Sequence, residues 1–411
     1  MTETSIAARP PPRQLVLQLG AATLARLFLN TARRFAYPFA PALSRGLGVP
    51  LTAITSLLAA NQVTGVLSPV FGPLSDRWGH RRMMLAGLSM LTLGMWAAGL
   101  LPLYGIVLLG LFFGGLGKSA FDPALQAYAG ERVPFERRGL AVGMIEFAWA
   151  GSSLIGIPLA GLLIDGLGWR SPFFVLGTAG LIGAVAVGTL IPDERRRGRA
   201  PGVPAGFRAA WRRLSQERAA LGALGFAFLV SMANDNLFVV YGAWLEETFG
   251  LSIAALGTAT LVIGLAELLG EGLTASIADR LGLGRAAMAG LALSGLSYAL
   301  LPLVGRTLPL ALAGLFGTFL TFEFTIVTSF SLSTEILPGA RATMISGIVA
   351  MTSAGRVIGT LIGGRVWLAG GLAATGLVSA LVSGLALASL AWGLRGWRPK
   401  PPIALSKGVE P

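Results

Sequence analysis

The chain has 411 residues, of which 54% are hydrophobic and only 12% charged, and its mean hydropathy is +0.71. A soluble domain carries about 25% charged residues, so a water-soluble globule is excluded. The net charge of +13 would point a soluble protein towards nucleic acid, but here its sign means nothing until it is sorted by loop, and the absence of cysteine excludes disulfides, iron–sulfur clusters and thiol chemistry.

Residues 1–14 are polar and Pro-rich and read as a cytoplasmic tail, because the apolar run that follows is too long and too interrupted for a cleaved signal peptide. Apolar runs of about 20 residues, bounded by Pro, Gly and charge clusters, predict an all-α membrane protein with twelve spans. These begin near Leu15, Leu51, Met83, Leu103, Leu140, Pro172, Ala219, Ile253, Ala286, Leu308, Ala342 and Leu372. The longest break, 192–218, holds eight arginines and separates a half at 15–191 from a half at 219–395; residues 396–411 form a second tail. Within the break Phe207, Trp211 and Leu214 recur at helical spacing among Arg208, Arg212 and Arg213, the pattern of a short surface helix.

With the N-terminus inside, the segments on the cytoplasmic side hold 23 of the 32 Lys and Arg, while the opposite loops hold three, Arg45, Arg170 and Arg306. This asymmetry satisfies the positive-inside rule and predicts both termini in the cytoplasm of a plasma-membrane protein. The high pI then follows from topology, and no nucleic-acid partner is needed.

Between the second and third spans lies a polar island, Gly72-Pro-Leu-Ser-Asp76-Arg77-Trp-Gly79-His80-Arg81-Arg82. The order resembles the Gly-x-x-x-Asp-Arg-x-Gly-x-Arg-Arg motif of the major facilitator superfamily, with His80 where members usually carry a first Arg or Lys. Asp279-Arg280-Leu281-Gly282 repeats its core 203 residues on from Asp76, and further pairs share nearly that offset: Asn30 with Asn234, Tyr37 with Tyr241, and Glu131, Pro134 and Arg137 with Glu335, Pro338 and Arg341. Several matches at one offset read as two homologous halves, which is how this superfamily's halves are related. The resemblance covers nearly the whole chain and implies two pseudo-symmetric six-helix halves around a central cavity.

Twelve ionisable residues fall inside the spans: Arg26, Arg33, Arg34, Lys118, Asp122, Glu146, Asp235, Glu267, Glu271, Glu323, Arg356 and Arg365. A charge at mid-membrane costs about 2.5–3.5 kcal/mol on insertion scales, so each is expected to face a partner or a watery cavity and none to face lipid. Arg26, Asn30, Arg33 and Tyr37 share one face of the first span, with Arg34 beside it, and Asn234, Phe238 and Tyr241 repeat that face in the seventh. In the fold resembled, the first, fourth, seventh and tenth helices line the cavity. These residues, with Lys118 and Arg356, are therefore substrate-cavity candidates; the competing reading is hydrogen-bond glue between helices.

A residue that carries a proton must bind and release it near neutral pH, which desolvation favours and a fixed cation opposes. Glu323, between Phe322 and Phe324, suits this best, followed by Asp235; Glu146, Glu267 and Asp122 are further candidates, and Glu271, near a span end, is the weakest. The structural alternative is a salt bridge, for instance Glu323 with Arg356 or Glu146 with Lys118. Lys118 and Asp122 can also pair one turn apart, and Lys118 stands near the place of an arginine that the family's fourth helix uses in proton coupling.

Gly151, Gly156, Pro158 and Gly161 in the fifth span resemble the glycine-proline motif of the family's antiporters, although Ile157 and Leu162 replace two of its glycines. By the same resemblance Gly72, Asp76, Arg77, Gly79, Arg81 and Arg82, with Asp279, Arg280 and Gly282, form switch loops, Asp76 meeting the start of the eleventh helix beside Arg341. His80 is expected to serve as a basic loop residue, and one histidine without nearby carboxylates makes no metal site. No P-loop is present, so the expected energy source is a proton gradient and no cofactor is called for.

These features predict a transporter working as a monomer in the lipid bilayer: proton-coupled efflux of a small organic or drug-like solute by alternating access. The alternative is proton-linked uptake, or facilitated passage, of a small anionic metabolite, which the arginines of the first span favour. An intramembrane enzyme would need an activated nucleophile or a metal cluster at depth, and the sequence offers neither.

Overall fold

The computed structural model describes residues 12–134, 138–193, 212, 214–337 and 341–397. All regular structure among them is helical. The twelve spans are numbered α1 to α12 in chain order. Span α1 is Pro12–Arg34 and resumes after a break as Ala40–Leu47; α2 is Leu51–Val66 continued by Ser68–Trp78; α3 is His80–Leu100 and α4 Tyr104–Arg132. Span α5 joins Arg138–Gly151 to Ile157–Leu167 through a π-helical turn at Ser152–Gly156, and α6 is Ser171–Leu190.

The second half repeats the plan. Span α7 is Arg218–Phe238 resumed as Tyr241–Phe249, α8 runs from Ile253–Leu273 through a π-helical turn at Thr274–Ala278 to Asp279–Leu281, α9 is Leu283–Val304 and α10 Leu308–Ile336. The remaining helical stretch, Arg341–Leu394, has 54 residues. It would be roughly 80 Å long if straight, against a hydrocarbon core of about 30 Å. It parts at Gly370 and Gly371, the latter with φ 57°, giving α11 (341–369) and α12 (372–394).

The turns carry the internal repeat into the backbone. Every described residue with positive φ is a glycine, as expected where a Cβ would be strained. Six of the seven form pairs: Gly48 (65°) with Gly250 (64°), Gly79 (94°) with Gly282 (80°), and Gly168 (88°) with Gly371 (57°). The partners stand 202 or 203 positions apart, so the offset read from the charged motifs also sets where the chain reverses. Gly79 and Gly282 lie at one end of the bundle, here the basic face, and the other four at the opposite end, here the far face.

The outside of the bundle is apolar. Leu93, Leu167, Ile182, Leu293 and Leu381 are among the exposed side chains, at 53–75% exposure, which suits contact with lipid tails. The polar residues of α1 and α7 are turned inward instead: Asn30, Arg34, Asn234 and Asp235 are all at or below 3% exposure.

Two expectations about charge placement are corrected. Arg365 is exposed rather than turned towards a cavity; it lies five residues before Gly370, close enough to the far face for its long stem to carry the charge to water. His80 is not a loop residue but opens α3, and it is buried: it is 3% exposed, its Nδ1 lies 2.8 Å from Ser75 Oγ, and its Nε2 lies 3.4 Å from Glu131 Oε1. It thus ties the ends of α2 and α4 to the start of α3, because its ring reaches back across the turn that Gly79 makes.

Most of the 192–218 break lies outside the described residues, including Phe207, Arg208, Trp211 and Arg213 of the expected surface helix, and so do residues 1–11, Arg137, Pro338 and 398–411. Leu214 is described and is buried in an apolar cluster with Ala219, Ala220 and Leu224.

Candidate substrate and coupling site

Three polar clusters occupy the interior. The first lies within one half. Arg26 of α1 places Nε 3.1 Å from Asp122 Oδ1 of α4 and Nη1 3.1 Å from Glu146 Oε1 of α5, and it donates to the Ile145 carbonyl at 2.6 Å. Lys118 donates to Asp122 Oδ2 at 2.5 Å. Two cations therefore meet two carboxylates, and Glu146 pairs with Arg26 instead of Lys118. A cavity of about 210 Å³, lined by Gln126, Gly130 and Ile145 among others, opens beside Glu146.

The second cluster joins the halves. Arg34 of α1 grips Glu267 of α8 with both terminal nitrogens, at 2.6 and 3.2 Å, and Ser153 of α5 donates to the same carboxylate at 3.0 Å. The Arg34 guanidinium lies 4.3 Å from the Trp149 ring centre, and Lys118 and Arg356 lie within 5.7 and 5.9 Å of the same ring. Trp149 is thus an electron-rich plate shared by three cations from three helices and both halves.

The third cluster also crosses the halves. Tyr37 OH donates to Asp235 Oδ1 of α7 at 3.0 Å and accepts from Gln62 Nε2 of α2 at 2.6 Å, while Arg33 Nη2 donates to Gln62 Oε1 at 2.5 Å. Arg356 of α11 stands 3.8 Å from Asp235 Oδ2, beyond hydrogen-bond reach. Asp235 is wholly buried.

Glu323 belongs to none of these. It is 7% exposed and makes no ion pair or hydrogen bond among the described residues, and in particular none with Arg356. Its Cβ packs where a side chain at Gly270 would stand, so the glycine lets α10 approach α8 on the face that carries Glu267 and Glu271.

The remaining candidates are structural in their contacts. Asn30 donates to the Ala148 carbonyl at 2.9 Å, and Asn234 Oδ1 accepts from Tyr298 at 3.3 Å. Phe238 stacks on Tyr241 at 5.4 Å and lies 4.5 Å from the Tyr37 ring, and Tyr241 OH is 3.0 Å from Thr260 Oγ1. Tyr37 and Tyr241, mates in the repeat, thus have different partners.

In α5 the π-helical turn directly precedes Pro158, where an extra residue per turn accommodates a proline that donates no hydrogen bond. A side chain at Gly156 would collide with Thr31 of α1, and one at Gly161 would meet the backbone of Gly257 in α8; Pro158 also abuts Gly257. Gly151 faces Leu27. The motif therefore forms a seam between α5, its own half and the other half.

At the basic face Arg82 pairs with Asp193 at 3.2 Å, Arg81 donates to the Gly188 carbonyl, and Arg77, Asp279 and Arg280 are exposed. Arg341 donates to the Thr334 carbonyl at the end of α10, at 3.2 Å. The α2 segment containing Asp76 packs against the Arg341–Leu394 helical stretch; the side chains of Asp76 and Ala342 lie outside the described residues.

Contacts between the halves concentrate towards the far face. Besides Arg34–Glu267 and Tyr37–Asp235, Arg45 pairs with Glu246 at 2.8 Å, and Gly242 lies against the Pro38 backbone. Every residue from Leu29 to Ala40 and from Ala233 to Leu245 is buried. Towards the basic face, Glu146 and Asp122 keep 38% and 21% of their side chains exposed. The bundle is sealed at one end only. Reading ionisable residues alone missed Trp149, Gln62 and Ser153; Gln62 had a usable signal, since Asn61-Gln62 interrupts an apolar run.

The family model of the Major Facilitator Superfamily matches residues 22–234 and again 223–411. The chain is 28% identical over 300 residues to the uncharacterized MFS-type transporter YceJ of Bacillus subtilis (strain 168), covering 72% of this chain and 75% of that one. It is 25% identical to the multi-drug resistance efflux pump PmrA homolog of Lactococcus lactis subsp. lactis (strain IL1403), covering 82% and 85%. Among solved structures, a bacterial homolog of the human lysosomal transporter Spinster, inward-facing and unoccupied, matches with TM-score 0.76 at 17% identity, over 95% of this chain and 99% of that one. The peptide transporter POT, as a point mutant in complex with alafosfalin, matches with TM-score 0.77 at 13% identity, over 93% and 94%. With both halves matched and the fold shared, this chain belongs to the major facilitator superfamily and is a multi-pass membrane transporter, not an enzyme.

Proposed function

We propose that the chain exports a small organic solute in exchange for protons, by alternating access between its two faces. The observation that carries this is the one-sided seal: the far-face stretches of α1 and α7 are buried whole, while charged side chains at mid-depth stay exposed towards the basic face. On the positive-inside rule the basic face is cytoplasmic, so the site as built receives solute from inside the cell. Glu323 is the proton carrier in this reading, because it is desolvated and, unlike Glu146, Glu267, Asp122 and Asp235, has no cation within ion-pair distance among the described residues. The efflux direction draws further support from the efflux pump among the relatives.

The test uses everted vesicles with an acid interior and a pH-sensitive dye, adding candidate compounds to wild type and to Glu323→Gln. Export predicts that a compound discharges the gradient in wild type and not in the variant. Equal responses remove Glu323 from the coupling step, and a compound that moves with no change in the gradient refutes proton exchange.

A further inference from the structure

The interior charges are not all paired at contact distance, and the loosely paired cations share one location. Arg26 and Lys118 share Asp122 and Glu146, and Arg34 has Glu267. Arg33 and Arg356 come one from each half; of the carboxylates, only Asp235 comes within ion-pair distance of either among the described residues, and it reaches Arg356 alone. The two guanidiniums are strung on one polar chain: Arg33 to Gln62 at 2.5 Å, Gln62 to Tyr37 at 2.6 Å, Tyr37 to Asp235 at 3.0 Å, and Asp235 to Arg356 at 3.8 Å. Among the described residues Arg33 hydrogen-bonds only to the neutral amide of Gln62, and Arg356 makes no hydrogen bond. Asp235 Oδ2 likewise has no hydrogen-bond partner. A guanidinium offers five N–H donors in a planar fork, so most of the donors here are unused.

A cation at this depth calls for a counter-charge, and apart from Asp235 no carboxylate stands within ion-pair distance of either guanidinium among the described residues; Glu323, buried and without a cation, lies beyond that distance. Arg356 keeps 15% of its side chain exposed, and its guanidinium stands 5.9 Å from the ring of Trp149, itself half-buried. The site thus pairs open arginine forks with an aromatic wall. Ser353, one turn before Arg356, crowds with the Arg33 guanidinium around Gly65, which places both arginines under the same part of the seal.

We propose that Arg33 and Arg356 form the anion subsite of the transported solute, which is an organic anion: a carboxylate or phosphate held between the two forks, with an apolar, preferably aromatic, body against Trp149. The proposal rests on the transport reading for its biological sense but on static binding for its test. Bound this way, the anion bridges the halves and gives both guanidiniums a negative partner at contact distance.

The experiment measures the thermal unfolding midpoint of the purified full chain in detergent with benzoate, phenyl phosphate or the neutral congener benzamide. Benzoate or phenyl phosphate raises the midpoint and benzamide does not; which anion acts more strongly identifies the head group. Arg33→Gln and Arg356→Gln each weaken the half-saturating anion concentration by about tenfold or more, whereas Arg365→Gln, the same charge change at an exposed position, leaves it unchanged. Arg33→Lys serves as a second variant if Arg33→Gln does not fold, and weakens binding by losing the fork while keeping the charge. Equal responses to benzoate and benzamide, or an anion response that survives at both arginines, overturn the proposal. Because no flux is measured, anion binding without proton release in vesicles sinks the export reading and leaves the subsite standing, and the converse result does the opposite.

Discussion

Substituting Glu267→Gln separates what the cross-half ion pair does from what the surrounding packing does. The carboxylate accepts from Arg34 at 2.6 and 3.2 Å and from Ser153 at 3.0 Å, and the two side chains are only 4% and 5% exposed, so solvent screens little. Removing one partner of such a pair costs about 3–5 kcal/mol, most of it the penalty of an orphaned buried charge. Arg34 would keep neutral acceptors, the amide oxygen of the new Gln, the Trp149 carbonyl at 3.4 Å and Ser152 Oγ at 3.3 Å, but no counter-charge. On the proposed alternating access the penalty falls on the sealed state, because opening the far face would part the halves here and bring Arg34 to water. The equilibrium should move towards the far-open state by about two to three powers of ten, at 1.4 kcal/mol per decade. The chain has no native cysteine, so spin labels at Pro102→Cys and Arg306→Cys, exposed mates in the α3–α4 and α9–α10 turns, report the separation of the halves. Wild type gives the short distance, Glu267→Gln adds a long one, and the double variant with Arg34→Gln returns towards wild type because no charge is orphaned. An unchanged distance distribution in a folded Glu267→Gln protein would refute the gate argument.

Asp122→Asn removes the carboxylate shared by Arg26 and Lys118 and should cost about 3 kcal/mol; the midpoint of unfolding falls by several degrees, and a drop under one degree speaks against the network. Gly161→Val sets a branched side chain against the Gly257 backbone, an overpacking of about 1–3 kcal/mol at the seam between the halves; transport in vesicles should fall at least fivefold with protein abundance kept, and normal transport contradicts the seam. His80→Ala frees Ser75 and Glu131 at the ends of α2 and α4; amide hydrogen exchange over 75–80 should quicken by about tenfold, for a bond of roughly 1 kcal/mol or more, and unchanged protection would show that the ring holds nothing. Gly282→Ala, at φ 80°, should lower stability by about 1–2 kcal/mol from left-handed strain, while Gly284→Ala, in helix, should be neutral or stabilising; equal effects would refute the turn argument.

What the sequence made legible follows from what is local. Span positions rest on continuous apolarity, and the repeat rests on residues at one offset, so the starts at Leu51, Ile253 and Leu308 and the break before Leu372 agree with the helices observed. Partner choice is set by three-dimensional register. Lys118 and Glu146 look like natural partners on paper, yet the guanidinium of Arg26 reaches both Asp122 and Glu146 and leaves Lys118 to its own helix neighbour. His80 read as a basic loop residue because of its place in the motif, but the turn at Gly79 brings its ring back to Ser75. Trp149 was overlooked because one aromatic among many carries no periodic signal, and its importance lies in cations that arrive from three other helices.

The closed far end makes the two sides of the membrane unequal to any ligand. From the basic side a ligand meets an open vestibule and binds with its intrinsic strength. From the far side it must wait for the minority of carriers open that way, and its measured dissociation constant is the intrinsic one divided by that fraction. If the seal is worth about 2.7 kcal/mol, roughly one carrier in a hundred is open and the ligand looks about a hundredfold weaker. One compound at one site would then be a potent inhibitor from the basic side and a poor one from the far side, so sidedness of inhibition need not imply two binding sites.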